Sequence, residues 1–275
     1  MADQDAAGTV RLDAVSYAYR SGGAFGRRGE DAVRDVSFAV GKGQTLGLVG
    51  ESGSGKSTIG RVALGVYAPT RGRVLFGGVP LAQQRKALRG RFQVVLQHPE
   101  WSLNPRLRIG TSVAEPLTVA KVGTRDERRE RVAELLDLVG LSASLAGRYP
   151  HELSGGQQQR VAIARALVTQ PDFIVFDEAV SALDVSVQAQ TLNLIVGLQE
   201  AEGFAALFIS HDMAAVRYVS DAVVVMMHGE VVEQAPVQTF YGSPSHPYSQ
   251  LLVDSIAPEI GMPTPTPTPT PRSAA

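Results

Sequence analysis

The sequence predicts an α/β protein built on a parallel, helix-wrapped sheet, and three observations carry that prediction. Short apolar runs recur along the chain, helix-competent stretches separate them, and one run, Thr45 to Val49, passes straight into a glycine-rich turn that opens a further helix. At 275 residues with 44% hydrophobic and 19% charged content, the chain is long enough for one large domain with a sizeable core. It does not suggest two complete domains.

Taken in order, Val15, Tyr17 and Tyr19 alternate with small or polar residues and read as a half-buried strand. Ser21 to Glu30 reads as a glycine- and arginine-rich loop, Val36 to Val40 as a second strand, and Gly41-Lys42-Gly43 as a turn. Thr45 to Val49 has the continuous apolar character of a strand buried on both faces. Thr58 to Leu64 is helix-competent, and Phe92 to Leu96 is a strand candidate. Thr124 and Glu127 have capping-box spacing, and Val132, Leu135, Leu136 and Val139 mark one helical face that ends at Gly140. This helix belongs to a mostly helical middle that includes Gln157 to Val168. Phe173 to Phe176, Ala206 to Ile209 and Ala222 to Met226 complete the apolar runs, with a helix from Val185 to Glu200 between two of them. Pro263 to Pro271 alternates with threonine and reads as a solvated extended tail; a proline-rich docking segment is the sharper alternative.

Composition excludes several classes. Twenty-six basic residues nearly cancel twenty-seven acidic ones, so the basic surplus that drives general nucleic-acid binding is missing and no nucleic-acid partner is expected. A local basic patch stays open. With no cysteine, disulfides, cysteine-bound zinc and iron–sulfur clusters are excluded chemically. Met1 to Gly8 carries two aspartates and no apolar stretch, so it reads as a flexible N-terminus and not a secretory signal. The longest apolar runs fall far short of the ~18 to 20 residues that cross a bilayer. Membrane contact is therefore expected to come through a partner.

Gly50-Glu51-Ser52-Gly53-Ser54-Gly55-Lys56-Ser57 fits the phosphate-binding P-loop pattern between a strand and a helix. Its glycines let backbone N–H groups curl around phosphate oxygens, and the helix N-terminus adds its positive dipole. Lys56 is expected at the β and γ phosphates of a nucleotide, Ser57 as a direct ligand of Mg²⁺, and Thr58 as a further phosphate contact. Asp177 and Glu178 end a buried strand, where the crevice of an open α/β sheet lies. Asp177 is expected to hold Mg²⁺ through water, and Glu178, one residue further, to polarise the water that attacks the γ phosphate. Alone, an Asp-Glu pair is more often a solvated loop; the apolar strand and the phosphate loop before it favour the functional reading.

Leu153-Ser154-Gly155-Gly156-Gln157-Gln158-Gln159-Arg160 is a second small, amide-rich turn opening a helix, and so a second anion-binding surface. The segment resembles the signature motif of ABC-type ATPases and lies shortly before the Asp-Glu strand, as in that family. The resemblance covers roughly Leu12 to Pro258. It implies an ABC ATPase domain over 9–258, with a RecA-like P-loop NTPase core, an antiparallel β part and a helical subdomain over roughly 98–168.

The resemblance also implies roles that the residues alone do not. Gln97 matches the glutamine that approaches Mg²⁺ and reports nucleotide state to the transport partner. Ser154, Gly155, Gly156 and Gln157 match the turn that closes on the nucleotide of a facing subunit. Ser181-Ala182-Leu183-Asp184 matches the loop that crosses between paired ATPase domains, with Asp184 placed at the nucleotide interface. His211 matches the histidine that bonds the γ phosphate, and Tyr19 the ring that stacks on adenine, with Tyr17 as a competitor because β alternation sends both rings to one face. Ala179 departs from the family, which usually has proline there; a change in local stiffness is expected, not a loss of activity.

Ser102-Leu103-Asn104-Pro105-Arg106, Val180 to Ser186 and His246-Pro247-Tyr248 resemble the oligopeptide, dipeptide and nickel importers. Some ATPase subunits of that group carry a cysteine cluster, and this chain falls in the other class. The implied partners are two membrane permease subunits, a second ABC ATPase subunit, homologous or identical, and indirectly an extracytoplasmic solute-binding protein. The implied location is the cytoplasmic face of the cell membrane. An ATPase of a soluble assembly, such as the carbon–phosphorus lyase complex, is the alternative. A DNA-repair ATPase would need a long coiled coil between Lys56 and Asp177, and none fits. An unrelated P-loop kinase leaves Ser154 to Arg160 unexplained.

Overall fold

The computed structural model describes residues 10–20 and 28–256. The expected N-terminal segment 1–8, most of the Ser21–Glu30 loop and the Pro/Thr-rich tail 259–275 lie outside the described residues. Two long antiparallel strands, β1 (Val10–Arg20) and β2 (Arg28–Val40), open the fold. The second strand, expected over Val36–Val40 after a loop running to Glu30, instead begins at Arg28. Its polar first half is held by pairing with β1, Asp31 opposite Ala18 and Val33 opposite Tyr17, so the ladder overrides a weak local signal.

After β3 (Thr45–Val49) come α1 (Lys56–Ala63), β4 (Arg71–Phe76), β5 (Val79–Pro80), α2 (Leu81–Gln84) and β6 (Phe92–Leu96). The next segment is helical: α3 (Pro99–Ser102), α4 (Ile109–Ala120), α5 (Arg125–Leu138) and α6 (Gly155–Leu167). The chain then returns through β7 (Phe173–Asp177), α7 (Val185–Glu202), β8 (Ala205–Ile209), α8 (Met213–Val219), β9 (Ala222–Met227), β10 (Glu230–Pro236), α9 (Val237–Gly242) and α10 (Pro247–Asp254). Thr124 closes the capping box of α5: its hydroxyl accepts from Glu127 N–H, and the Glu127 carboxylate accepts from Thr124 N–H at 2.6 Å.

One sheet is antiparallel in the order β2-β1-β4-β5. The other runs β10-β9-β3-β8-β7-β6 and is parallel apart from β10. Successive residues of its strands feed opposite cores. Ile174, Phe176, Phe208 and Val225 pack with the apolar faces of α4, α5 and α6, whereas Phe173, Val175, Leu207 and Met226 pack with α1 and the antiparallel sheet. Burial on both faces is why these strands read as unbroken apolar runs.

Candidate functional site

The parallel strands end in step. Leu96, Asp177 and Ile209 are paired neighbours across β6, β7 and β8, and Leu48 of β3 pairs with Ile209. The next residues, Gln97, Glu178 and Ser210, therefore leave the sheet along one edge, as does Gly50 one residue after the last β3 pair, Val49 with Val225; this is the carboxyl edge where open α/β sheets bind ligands.

The loop after β3 depends on missing side chains. A Cβ on Gly50, at φ +144°, would lie 2.1 Å from the Met226 carbonyl oxygen. One on Gly55, at φ +100°, would meet Val33 Cγ1 at 2.7 Å and the Ala32 oxygen at 2.8 Å. Ser52 and Gly53 form the exposed tip, and Ser54 is buried with its N–H on the Glu51 oxygen. Lys56 folds back into the loop, its Nζ donating to the Gly50 and Glu51 oxygens at 2.7 Å each, with Ser54 Oγ at 3.4 Å. Burial lowers the Lys56 pKa, and the carboxylates of Glu178, Asp177 and Glu51 push it back up.

Ser57 Oγ donates to Asp177 Oδ1 at 2.9 Å, joining the phosphate loop to β7. Burial raises the Asp177 carboxyl above its usual range, against the pull of the Ser57 hydrogen bond and the Arg61 and Lys56 cations. A hydroxyl and a carboxylate already in contact fit Mg²⁺, which takes few protein oxygens when phosphates and water supply the rest. Gln97, half-buried at the end of β6, stands on the same edge.

Glu178 adopts a left-handed backbone conformation, φ +51°. Its N–H donates to the Ile209 oxygen at 2.9 Å, and its carbonyl accepts from Ser181 N–H at 3.2 Å and from the Ser181 hydroxyl at 2.9 Å. A sparsely populated conformation held from both sides fixes where the side chain points. The carboxylate Oε2 lies 3.3 Å from His211 Nδ1. Ala179, where the resemblance leads one to expect proline, is fully enclosed.

Tyr17 and Tyr19 do share a side. Tyr17 stacks on Tyr67 with ring centroids 4.9 Å apart and planes 5° from parallel, and Tyr19 stands edge-on to both. Tyr19 is 44% exposed, and its hydroxyl lies 2.9 Å from Thr58 Oγ1. Tyr67 covers a face of Tyr17, which leaves Tyr19 as the ring with open surface beside the phosphate loop. Nothing local in the sequence points to Tyr67 as part of this cluster.

Ser154 and Gln157 cap α6 reciprocally: Ser154 Oγ accepts from Gln157 N–H at 3.3 Å, and Gln157 Oε1 accepts from Ser154 N–H at 3.0 Å. The Ser-x-x-Gln spacing carries this cap, which the sequence reading passes over in favour of the glycines. Gly155 faces open space and Gly156 packs against Val187. Ser154 and Gly155 are exposed, and among the described residues no hydrogen bond joins Ser154–Gln157 to residues 50–58. Asp184 likewise caps a helix, its Oδ1 accepting from Val187 N–H at the start of α7.

A lysine and a serine from a phosphate loop, set against an Asp-Glu pair on the carboxyl edge of a parallel sheet, define the P-loop class of nucleotide-hydrolysing enzymes. Within that class the chain belongs to the ABC transporter family, whose model matches residues 33–181. It is similar to the oligopeptide transport ATP-binding proteins OppF and AppF of Bacillus subtilis (strain 168). OppF is 50% identical over 231 residues, covering 82% of this chain and 76% of that protein; AppF is 48% identical over 251 residues, covering 89% and 76%. The dimeric ATP-binding cassette MJ0796, in a post-hydrolysis state bound to ADP and Pi, superposes with a TM-score of 0.72 and 30% identity over 83% of this chain and 98% of that one.

Proposed function

We propose that this chain is the ATP-hydrolysing subunit that powers peptide import through two membrane permease subunits, working as one of a pair of ABC ATPases on the cytoplasmic face of the cell membrane. The observation that carries the reading is the Ser57–Asp177 contact with Glu178 and His211 beside it, in a chain about half identical to oligopeptide transport ATP-binding proteins. The ATPase domain spans 9–258, and its helical subdomain, roughly 98–168, carries the second anion-binding turn outward. Among the described residues no helix is long and apolar enough to cross a membrane.

In this reading the loop 50–58 wraps the triphosphate and Tyr19 stacks on adenine. Lys56 neutralises β and γ oxygens, and Thr58 adds a phosphate contact. Mg²⁺, held by Ser57, by Asp177 through water and by Gln97, would neutralise the charge that develops on the phosphates. Glu178 orients and polarises the attacking water, while His211 bonds the γ phosphate. Ser154 to Gln157 of the facing subunit, with Asp184 at the crossing loop, close the site from the other side. Hydrolysis then opens the pair and moves the permeases, to which an extracytoplasmic binding protein delivers solute. The relatives do not favour the soluble-assembly alternative.

Detergent-solubilised membranes test the proposal. Co-purification with polytopic subunits, and ATPase activity stimulated by peptide-loaded binding protein, are expected. Recovery in a soluble enzyme complex without membrane subunits would overturn it.

A further inference from the structure

His246-Pro247-Tyr248 makes a contact that none of the steps above uses. The Tyr248 hydroxyl, in the first turn of α10, accepts a hydrogen bond from the backbone N–H of Glu51 at 2.8 Å, across 197 positions of sequence. That N–H belongs to the peptide unit whose oxygen is the Gly50 carbonyl, and Lys56 Nζ donates to the same oxygen at 2.7 Å. One peptide plane is thus held at both poles, by Tyr248 on its nitrogen side and by Lys56 on its oxygen side. Because the unit is rigid and planar, holding its N–H also sets the direction of the oxygen on which the lysine rests.

The tyrosine is itself firmly placed. Glu233 of β10 accepts from the N–H groups of Ser245 and His246 at 2.8 and 3.0 Å. Burial opposes its ionisation, yet the hydrogen bonds it accepts, led by Ser245 N–H, prevail and hold the carboxyl at about 2. His246 Nδ1 then accepts from Tyr248 N–H at 3.1 Å, capping α10, and Pro247 occupies the first helical position. The half-buried Tyr248 ring packs against the larger core. A continuous set of contacts therefore runs from β10 to the first peptide of the phosphate loop.

We propose that Tyr248 is a positioning residue of the nucleotide site, fixing the Gly50–Glu51 peptide and through it Lys56, so that the loop is arranged before phosphate arrives. The inference rests on the reading of residues 50–58 as the phosphate loop. An element arranged in advance loses less freedom on binding, so the gain appears as affinity for the phosphate part of the nucleotide.

Tyr248→Phe removes the hydroxyl and keeps the ring. Full-length wild type and variant are titrated calorimetrically with Mg-ATP and with magnesium inorganic triphosphate. Both affinities are expected to fall by a common factor, about two- to tenfold, the range of one hydrogen bond. In a Lys56→Ala background the same change should add little, since the peptide oxygen no longer seats an ammonium. Unchanged affinity for both compounds overturns the proposal, as does a loss that persists undiminished without Lys56. A loss seen with ATP and absent with triphosphate also overturns it, because Tyr248 would then act on the base. If Lys56→Ala alone leaves triphosphate binding intact, the phosphate-loop reading fails first and takes the proposal with it.

Discussion

Glu178→Gln keeps the volume of the side chain and removes the carboxylate proposed to polarise the attacking water. The contacts that hold residue 178, from its N–H to the Ile209 oxygen and from Ser181 to its carbonyl, are made by backbone and survive the change. The left-handed conformation strains glutamate and glutamine alike. Among the described residues the ion-pair partner at risk is His211 Nδ1 at 3.3 Å, in a pair whose side chains are 62% and 26% exposed for His211 and Glu178. Pairs this open to solvent are worth at most ~1 kcal/mol, so stability should change by no more than that. Catalysis should change more: loss of a general base costs roughly 100-fold or more, about 2.7 kcal/mol on the barrier. The assay is ATP turnover by the purified transport complex, with Mg-ATP affinity and melting temperature measured on the same preparations. Wild-type turnover would refute the role of Glu178, and turnover lost in step with ATP binding would make the residue structural.

Lys56→Ala should weaken Mg-ATP binding by roughly 10- to 100-fold, the range for charge-assisted hydrogen bonds, in an equilibrium titration; unchanged affinity would place the lysine away from the phosphates. Glu233 is held near a pKa of about 2 in the fold against an ordinary 4.5, so its contribution to stability is fully present above about 4.5 and is lost as pH falls through about 2. Glu233→Gln should accordingly lower the melting temperature at pH 7 and differ progressively less from wild type below pH 4.5. A gap of the same size at pH 7 and at the acid end of that window would contradict the assignment.

The sequence is legible where the physics is local. Thr45–Val49 and Phe92–Leu96 are strands with the bounds their glycine and polar borders indicate, and Thr124 and Glu127 form the cap their spacing requires. The phosphate loop and the Asp-Glu pair could be found because each carries its chemistry in consecutive residues. Arg28–Asp31 could not be read as strand, since its order comes from pairing with β1. Nor could β4, whose Arg-Gly-Arg opening has no apolar alternation and which is ordered against β1 through Arg73 opposite Asp13. The left-handed Glu178 is set by Ile209, a residue of the next strand. Tyr248 and Glu51 meet only because β10 carries α10 back to the carboxyl edge, a juxtaposition no window of sequence contains.

The pairing of two phosphate-binding surfaces from different subunits is tested most directly by Gly155→Asp in one subunit of a mixed complex. A Cβ at position 155 meets nothing within 4 Å, and 155 is the first residue of α6, where the helix dipole favours a carboxylate. The variant chain should therefore fold and bind ATP at its own Lys56, while its new charge faces the γ phosphate held by the subunit opposite. With products trapped and counted site by site, turnover at the facing subunit's phosphate loop is expected to fall by roughly 100-fold or more, as when electrostatic stabilisation of the transition state is removed. Silence confined to the variant's own Lys56 site, or a lone chain that hydrolyses ATP as fast as the assembled complex, would contradict the paired mechanism.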